Sequence, residues 1–258
     1  GLLRFLRKDP DWPHPERSLN RTNDRHREEM TDHIVAALGD RTDLHAACIP
    51  GYPPYGKRIL LDNGWYETIQ RPNVELVTDP IERIDADGVT TESGQHRLAD
   101  VIVYATGFRM TQMTSRLNLR GKGGLDLRDA WEEDNPTAYL GITVPKFPNL
   151  FLMLGPNTGL GHGGSSISQS ECQSRYITSL IVQMAEKNIR SVDVKPLVHD
   201  EYNARIDAEH EHLIWTHPGM STYYRNARGR VFSVAPWRIV DYWSMTHDAS
   251  LEDFHCLS

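Results

Sequence analysis

Cysteine is scarce in this chain of 258 residues: Cys48, Cys172 and Cys256 lie far apart and form no C-x-x-C pair. That spacing supports no disulfide framework, and a reduced, cytoplasmic compartment is the simplest expectation. Long apolar runs are also missing. None approaches the ~20 residues that span a bilayer, so no membrane partner is expected, and the opening GLLRFLR is too short and too broken by arginine for a signal peptide. Nor is there an excess of positive charge. The 28 basic and 35 acidic side chains leave a net charge of −7, which argues against a general nucleic-acid binder, because such a protein needs a basic face to displace counterions. A local basic pocket for a phosphate stays compatible with that balance. No internal repeat or low-complexity segment is present, and the lack of an initiator methionine suits a chain that begins inside a longer protein or one that has been trimmed.

Hydrophobic content of 39% and charged content of 24% are ordinary for a globular protein, and the length allows one large domain or two smaller ones. Residues 1–20 read as an irregular, proline-rich arm. A helix is expected from Asn23 as N-cap, with Asp24 in its first turn, an apolar stripe of Met30, Ile34, Ala37 and Leu38, and Gly39 as its stop. Residues 50–56 form a loop. Short β pieces follow at 74–77, 81–84 and 89–91, the last bracketed by the turn signals Asp87-Gly88 and Ser93-Gly94. Val101-Ile102-Val103-Tyr104 has the continuous apolar character of a strand buried on both faces of a parallel sheet, and residues 149–154 repeat it. Helices are expected over Ile177, Leu180, Ile181 and Met184, over 200–213 through Tyr202, Ile206, His210 and Leu213, and from Pro236 onward. The mixture gives an α/β class with a meander in the middle.

Four groups of residues carry possible chemistry. Ala105-Thr106-Gly107 ends the buried strand with small residues, which suits either a cofactor beyond a strand end or a plain tight turn. Lys57-Arg58 follows a rigid Pro-Pro-Tyr-Gly loop; it suits an anion, a point charge beside a planar fork, or is a solvated basic pair. Gly159, Gly161 and Gly164 spell G-x-G-x-x-G after an apolar run. The turn is long and no acidic residue closes a second strand some 20 positions on, so this is not read as a dinucleotide fingerprint. The helix beginning near Ser165 or Ser166 would aim its amides at a nearby group, the alternative being a flexible glycine loop. Tyr223-Tyr224-Arg225-Asn226 is either a site wall or core. His210, His212 and His217 lack metal-ligand spacing and read as surface histidines, with no metal expected. Gly163-Gly164-Ser165-Ser166-Ile167 is not a hydrolase elbow.

Beyond what spacing gives, residues 73–108, with DVIVYATGF at 100–108, resemble the segment of flavin monooxygenases that returns from the nicotinamide-binding to the flavin-binding domain. The neighbourhood of Lys57-Arg58 and Asn63-Gly64-Trp65-Tyr66 resembles the Baeyer–Villiger branch. Together with residues 12–18 and 23–28, it is similar to the subgroup acting on aryl ketones such as 4-hydroxyacetophenone. The resemblance implies the carboxy-terminal portion of a flavoprotein with two dinucleotide-binding domains: 1–50 a helical arm on the NADP side, 51–104 the end of the NADP domain and the meander, and 105–258 the second half of the FAD domain. It implies FAD and NADPH as cofactors, a ketone and O2 as partners, and leaves a homo-oligomer open.

Carried over residue by residue, Lys57 would bind the NADP phosphate. Arg58 would approach flavin and nicotinamide and stabilise the negative charge of oxygen transfer. Thr106 and Gly107, with Gly155, Pro156, Asn157, Thr158 and Gly159, would lie against the cofactor. Leu160, His162, Tyr223, Tyr224 and Asn226 would face the substrate. A tryptophan that many relatives carry early in the last segment is replaced here by Thr222 and Tyr223. The two upstream glycine fingerprints and the F-x-G-x-x-x-H-x-x-x-W motif do not occur in these 258 residues, so the polypeptide by itself is expected to bind FAD poorly and not to turn over. An N- or S-oxygenating monooxygenase and a non-catalytic module are the alternatives.

Overall fold

Two nearby asparagines compete to start the first helix, and the earlier one wins. In the computed structural model, which describes residues 2–110, 112–113, 117–161 and 163–258, helix α1 runs Arg21–Leu38. The Asn20 side chain accepts from the amides of Thr22 and Asn23 at 3.0 and 2.9 Å, pairing donors that a helix start leaves free. Asn23, expected as the cap, is fully buried instead. Its side chain accepts from the Leu19 amide and donates to the Pro54 carbonyl, so it ties down the Pro-Pro loop. Asp24 sits in the first turn as expected. Burial pushes its carboxyl up, but hydrogen bonds from Ser18 and Arg17 outweigh that and hold it below the ordinary range. Gly39, at φ 55°, ends the helix.

The short helices α2 (His45–Cys48) and α3 (Trp65–Ile69) come next. Strands β1 (Ile81–Ile84), β2 (Gly88–Thr91) and β3 (His96–Leu98) form the expected meander, antiparallel in the order β1-β2-β3. The chain continues through α4 (Leu127–Ala130), α5 (Ser166–Glu186), β4 (Ser191–Val194), α6 (Pro196–His210), α7 (Ile239–Met245) and β5 (Phe254–Leu257), with β4 and β5 paired antiparallel. Helices and strands are thus mixed, as an α/β class requires. Helix α5 starts behind the Ser165 cap, whose hydroxyl accepts from the Ile167 amide. Helix α6 starts four residues earlier than expected, on Pro196. Helix α7 starts at Ile239 rather than Pro236, because Trp237, donating to the Tyr202 hydroxyl, and Arg238, with ψ 150°, keep the lead-in extended.

Three expected strands do not form. Residues 74–77 keep their alternating burial but pair with nothing in a ladder. Residues 101–104 and 149–154 are outside any strand, and Val101, Val103 and Tyr104 are largely exposed. A strand of the two-sided apolar type needs a ladder partner and cover on both faces, and among the described residues 101–104 has neither. Among the described residues, parallel pairing is reduced to one isolated bridge, Gly159 with Val234.

The chain divides into two compact units that interleave along it. Unit 1 comprises Gly1–Arg25, Tyr52–Ile59 and Arg109–Ser258; unit 2 comprises His26–Gly51 and Leu60–Phe108. In unit 1, Tyr176 and Leu180 of α5 pack with Tyr202 and Ile206 of α6 and with Val192, Val194 and Phe254 of the β4–β5 pair. A second cluster joins Phe5, Leu6 and Leu19 to Leu213, Ile214, Trp215, Tyr224 and Val234. Unit 2 is centred on Ile34, Leu38, Leu44 and Ile69. Among the described residues no helix is long and apolar enough to cross a membrane.

Candidate functional site

The loop before Lys57 is rigid because Asn23 holds the Pro54 carbonyl and Tyr55, at φ 72°, lays its ring on Phe5 with centroids 4.6 Å apart. There is no space for a side chain at Gly56: a Cβ would strike the Met220 thioether. The loop therefore delivers Lys57 half-buried, its ammonium 4.8 Å from the centre of the Tyr52 ring, and Arg58 exposed beside it. Across from them stands the glycine loop. Together Phe5, Tyr55, Lys57, Arg58, Gly161 and Gly163 line a cleft of about 280 Å³. Its lining includes two cations and no carboxylate among the described residues. Tyr224 also reaches this place. Burial, chiefly, and the hydrogen bond with Tyr223 push its phenol well above the ordinary value, against the opposing effect of the neighbouring Arg58 guanidinium. The Tyr223 hydroxyl donates to that of Tyr224 at 3.1 Å, and Trp215 meets the Tyr224 ring edge-on. Three of the four groups singled out in the sequence thus meet in unit 1.

The glycine loop is held by the protein itself. Asn157, at φ 55°, donates its amide to the carbonyls of Val231 and Val234 at 2.9 and 3.3 Å, and its backbone amide donates to Phe232. The Thr158 hydroxyl donates to the Gly155 carbonyl. The Asn157 and Thr158 side chains are therefore turned inward and bonded there. The glycines are packing residues: a Cβ on Gly155 would meet the Gly141 carbonyl, on Gly159 the Ser233 carbonyl, on Gly161 the Trp215 ring at 2.5 Å, and on Gly164 the Ile239 side chain. Pro156 is buried, Leu160 is half-buried, and His162 lies outside the described residues.

Two predictions follow from this packing. Gly161→Ala is expected to lower unfolding free energy by about 1–3 kcal/mol, as overpacking against a rigid indole does, measured by urea unfolding. Asn157→Ala removes the amide from two buried carbonyls and places alanine in the left-handed region; a loss on the order of 2–3 kcal/mol is expected. Asn157→Gly should recover the backbone part alone, and equal stability of the two variants would refute that division.

Asn226 is also a structural residue. Buried, it accepts from the Arg228 and Arg230 amides and donates to the Asp134 carbonyl and the Asn135 side chain. Thr106 and Gly107 belong to unit 2. Both are exposed, and a Cβ on Gly107, at φ 84°, would meet nothing within 4 Å. His212 is exposed as expected, but the other two histidines differ. His210 and His217 are buried rather than on the surface. His217 bonds the Pro15 carbonyl and His210 the Val234 carbonyl. Burial, the largest influence, lowers the His210 imidazole to about 3. No group of histidine, cysteine and carboxylate side chains among the described residues could hold a metal. Phe5 and Tyr55 were not singled out in the sequence as cleft residues; Tyr55 carried a signal, being the one large side chain in the Pro-Pro-Tyr-Gly loop.

Unit 1 thus holds a cleft with two cations, a glycine wall and an aromatic side, on a mixed α/β scaffold. The chain is homologous to monooxygenases, Baeyer–Villiger monooxygenases among them. It is 44% identical over 252 residues to an uncharacterized monooxygenase, y4iD, of Sinorhizobium fredii, covering 98% of this chain and 38% of that protein. It is 30% identical over 224 residues to a Baeyer–Villiger monooxygenase of Pseudomonas aeruginosa, covering 86% and 42%. Oxidized steroid monooxygenase bound to NADP has the same fold at a TM-score of 0.78 and 26% identity, over 96% of this chain and 47% of that one. OTEMO in complex with FAD and NADP matches in fold at 0.80 and 23% identity, over 93% and 46%. The chain therefore spans less than half the length of these relatives. No protein-family profile matches it.

Proposed function

We propose that the protein to which this chain belongs is an FAD- and NADPH-dependent monooxygenase that inserts one atom of O2 beside the carbonyl of a ketone, an aryl ketone by the resemblance of residues 12–18, 23–28 and 63–66. The observation that carries the proposal is the cleft in which Lys57 and Arg58 face Gly161 and Gly163, with no carboxylate in the lining among the described residues. Bound there, the cofactors would supply the reducing hydride and the activation of oxygen. The chain's own residues do the rest. Lys57 is a point charge for the NADP phosphate, held in place by the Tyr52 ring. Arg58 presents a planar guanidinium fork that can stabilise developing negative charge. The Tyr224 phenol, kept protonated by burial, is a neutral neighbour that steadies Arg58 without neutralising it. Gly161 and Gly163 leave the opposite wall without side chains, so a flat ring can approach the backbone. Thr106 and Gly107 of unit 2 are proposed as further flavin contacts.

The test is a product assay on the full-length protein, offering 4-hydroxyacetophenone against an amine and a sulfide. Ester formation from the ketone is the expected result; oxygenation of only the amine or sulfide would replace the ketone proposal.

A further inference from the structure

A second cleft in unit 1 shares no residue with the Lys57–Arg58 site. It has a volume of about 570 Å³, within the usual range for small-molecule sites of roughly 300–1,000 Å³. Four guanidiniums line it: Arg4, Arg7, Arg205 and Arg238. Two are already matched. Arg7 gives both terminal nitrogens to Glu209, at 2.7 and 2.8 Å, and Arg238 grips Asp241 with two nitrogens at 2.7 and 2.6 Å. Glu209 and Asp241 are the only carboxylates in the lining among the described residues. Arg4 and Arg205 therefore face the cleft without an ion-pair partner among those residues. Arg205 has its guanidinium over the Trp237 ring, 5.5 Å from the centroid, which fixes a long side chain that would otherwise wander. The cleft is formally doubly positive on a chain whose net charge is −7. Its floor is apolar, formed by Leu213, Pro236, Trp237 and Met245.

We propose that this cleft binds a small organic phosphate monoester, a dianionic head with an apolar or aromatic body. Two uncommitted guanidinium forks match the charge and the oxygen geometry of a phosphate dianion. The paired Arg7 and Arg238 fix the rim, and the apolar floor takes the body. A single carboxylate would leave one positive charge unmatched, and a bare phosphate would leave the floor uncovered.

The test is calorimetric titration of the purified full-length protein with phenyl phosphate, run with and without NADP+, with adenosine monophosphate as a second arm that separates a nucleotide source of the phosphate from an aryl one. Saturable binding with Kd below ~1 mM, unaffected by NADP+, is expected. The Arg4→Ala/Arg205→Ala double variant should weaken it roughly tenfold or more, by loss of two charge-assisted contacts, and Arg205→Lys should retain part of it. Both arginines are exposed, and an unchanged Tm shows that the double variant is folded. No saturable heat, competition by NADP+, or unchanged affinity in the double variant would overturn the assignment. Inorganic phosphate binding as tightly as phenyl phosphate would overturn the organic body.

Discussion

Arg58→Ala in the full-length protein is expected to lower ketone oxygenation by about 10²–10³-fold, the usual effect of removing one preorganised charge-stabilising donor, while NADPH consumption persists. The guanidinium lines a cleft in which no carboxylate stands among the described residues. Its loop is locked by Asn23, by Tyr55 on Phe5, and by the absence of space at Gly56. Preorganisation of this kind matters because the group then requires no reorganisation as charge develops. With Arg58 gone, reducing equivalents should still leave NADPH and be released as hydrogen peroxide. Product formed per NADPH consumed is therefore the discriminating measurement. Arg58→Lys retains a charge without the fork and should fall between the two. An alanine variant with wild-type coupling would remove Arg58 from the proposed chemistry and leave it a surface cation.

Acid should destabilise the chain through His210, and His210→Gln should remove that part of the pH dependence. The folded imidazole titrates near 3 instead of 6.5. Burial is the main cause, the bond to the Val234 carbonyl opposes it, and the charge on Arg230 adds to it. With Nε2 bonded to that carbonyl and Nδ1 without a partner among the described residues, a second ring proton would have nothing to meet. Between pH 6.5 and 3 the unfolded chain binds a proton that the folded chain refuses, so stability falls as pH falls through that window, and His210 contributes no slope above it. The slope reaches about 1.4 kcal/mol per pH unit, and the whole window amounts to roughly 4–5 kcal/mol. Glutamine keeps a donor for Val234 and does not titrate in this range. Urea unfolding from pH 7 to 4.5 should give a flatter profile for the variant; parallel profiles would mean that the folded imidazole accepts its proton normally.

The features read correctly from sequence are those set by neighbours along the chain. Asp87-Gly88 and Ser93-Gly94 placed the turns of the meander because the chemistry of a tight turn is local. The α5 stripe of Ile177, Leu180 and Met184 was visible because a long periodic pattern overrides noise. The apolar runs 101–104 and 149–154 could not be settled in this way, since a strand exists only where another strand lies beside it. Local chemistry also could not choose between Asn20 and Asn23 as a cap; burial did. At the candidate site, Lys57-Arg58 and the glycine loop were legible as residue types, but their meeting depends on contacts between positions about a hundred apart. His210 had left a signal, since it continues the line of Tyr202 and Ile206 on α6, although the lack of metal-ligand spacing led to its being read as a surface histidine. The inward role of Asn157 had none: an amide that holds two carbonyls and one that faces solvent are the same letter.

The interleaving of the two units bears on how the chain could be divided deliberately. A break in the exposed turn at Ser93-Gly94 would yield two polypeptides, neither containing a whole unit. The first would carry Phe5, Leu19 and the Lys57–Arg58 loop without Trp215 and Tyr224, and the second the reverse. Each would present an unfinished core whose complement lies on the other. Regain of structure on mixing would therefore report association directly, which makes this turn a rational point for split-protein complementation.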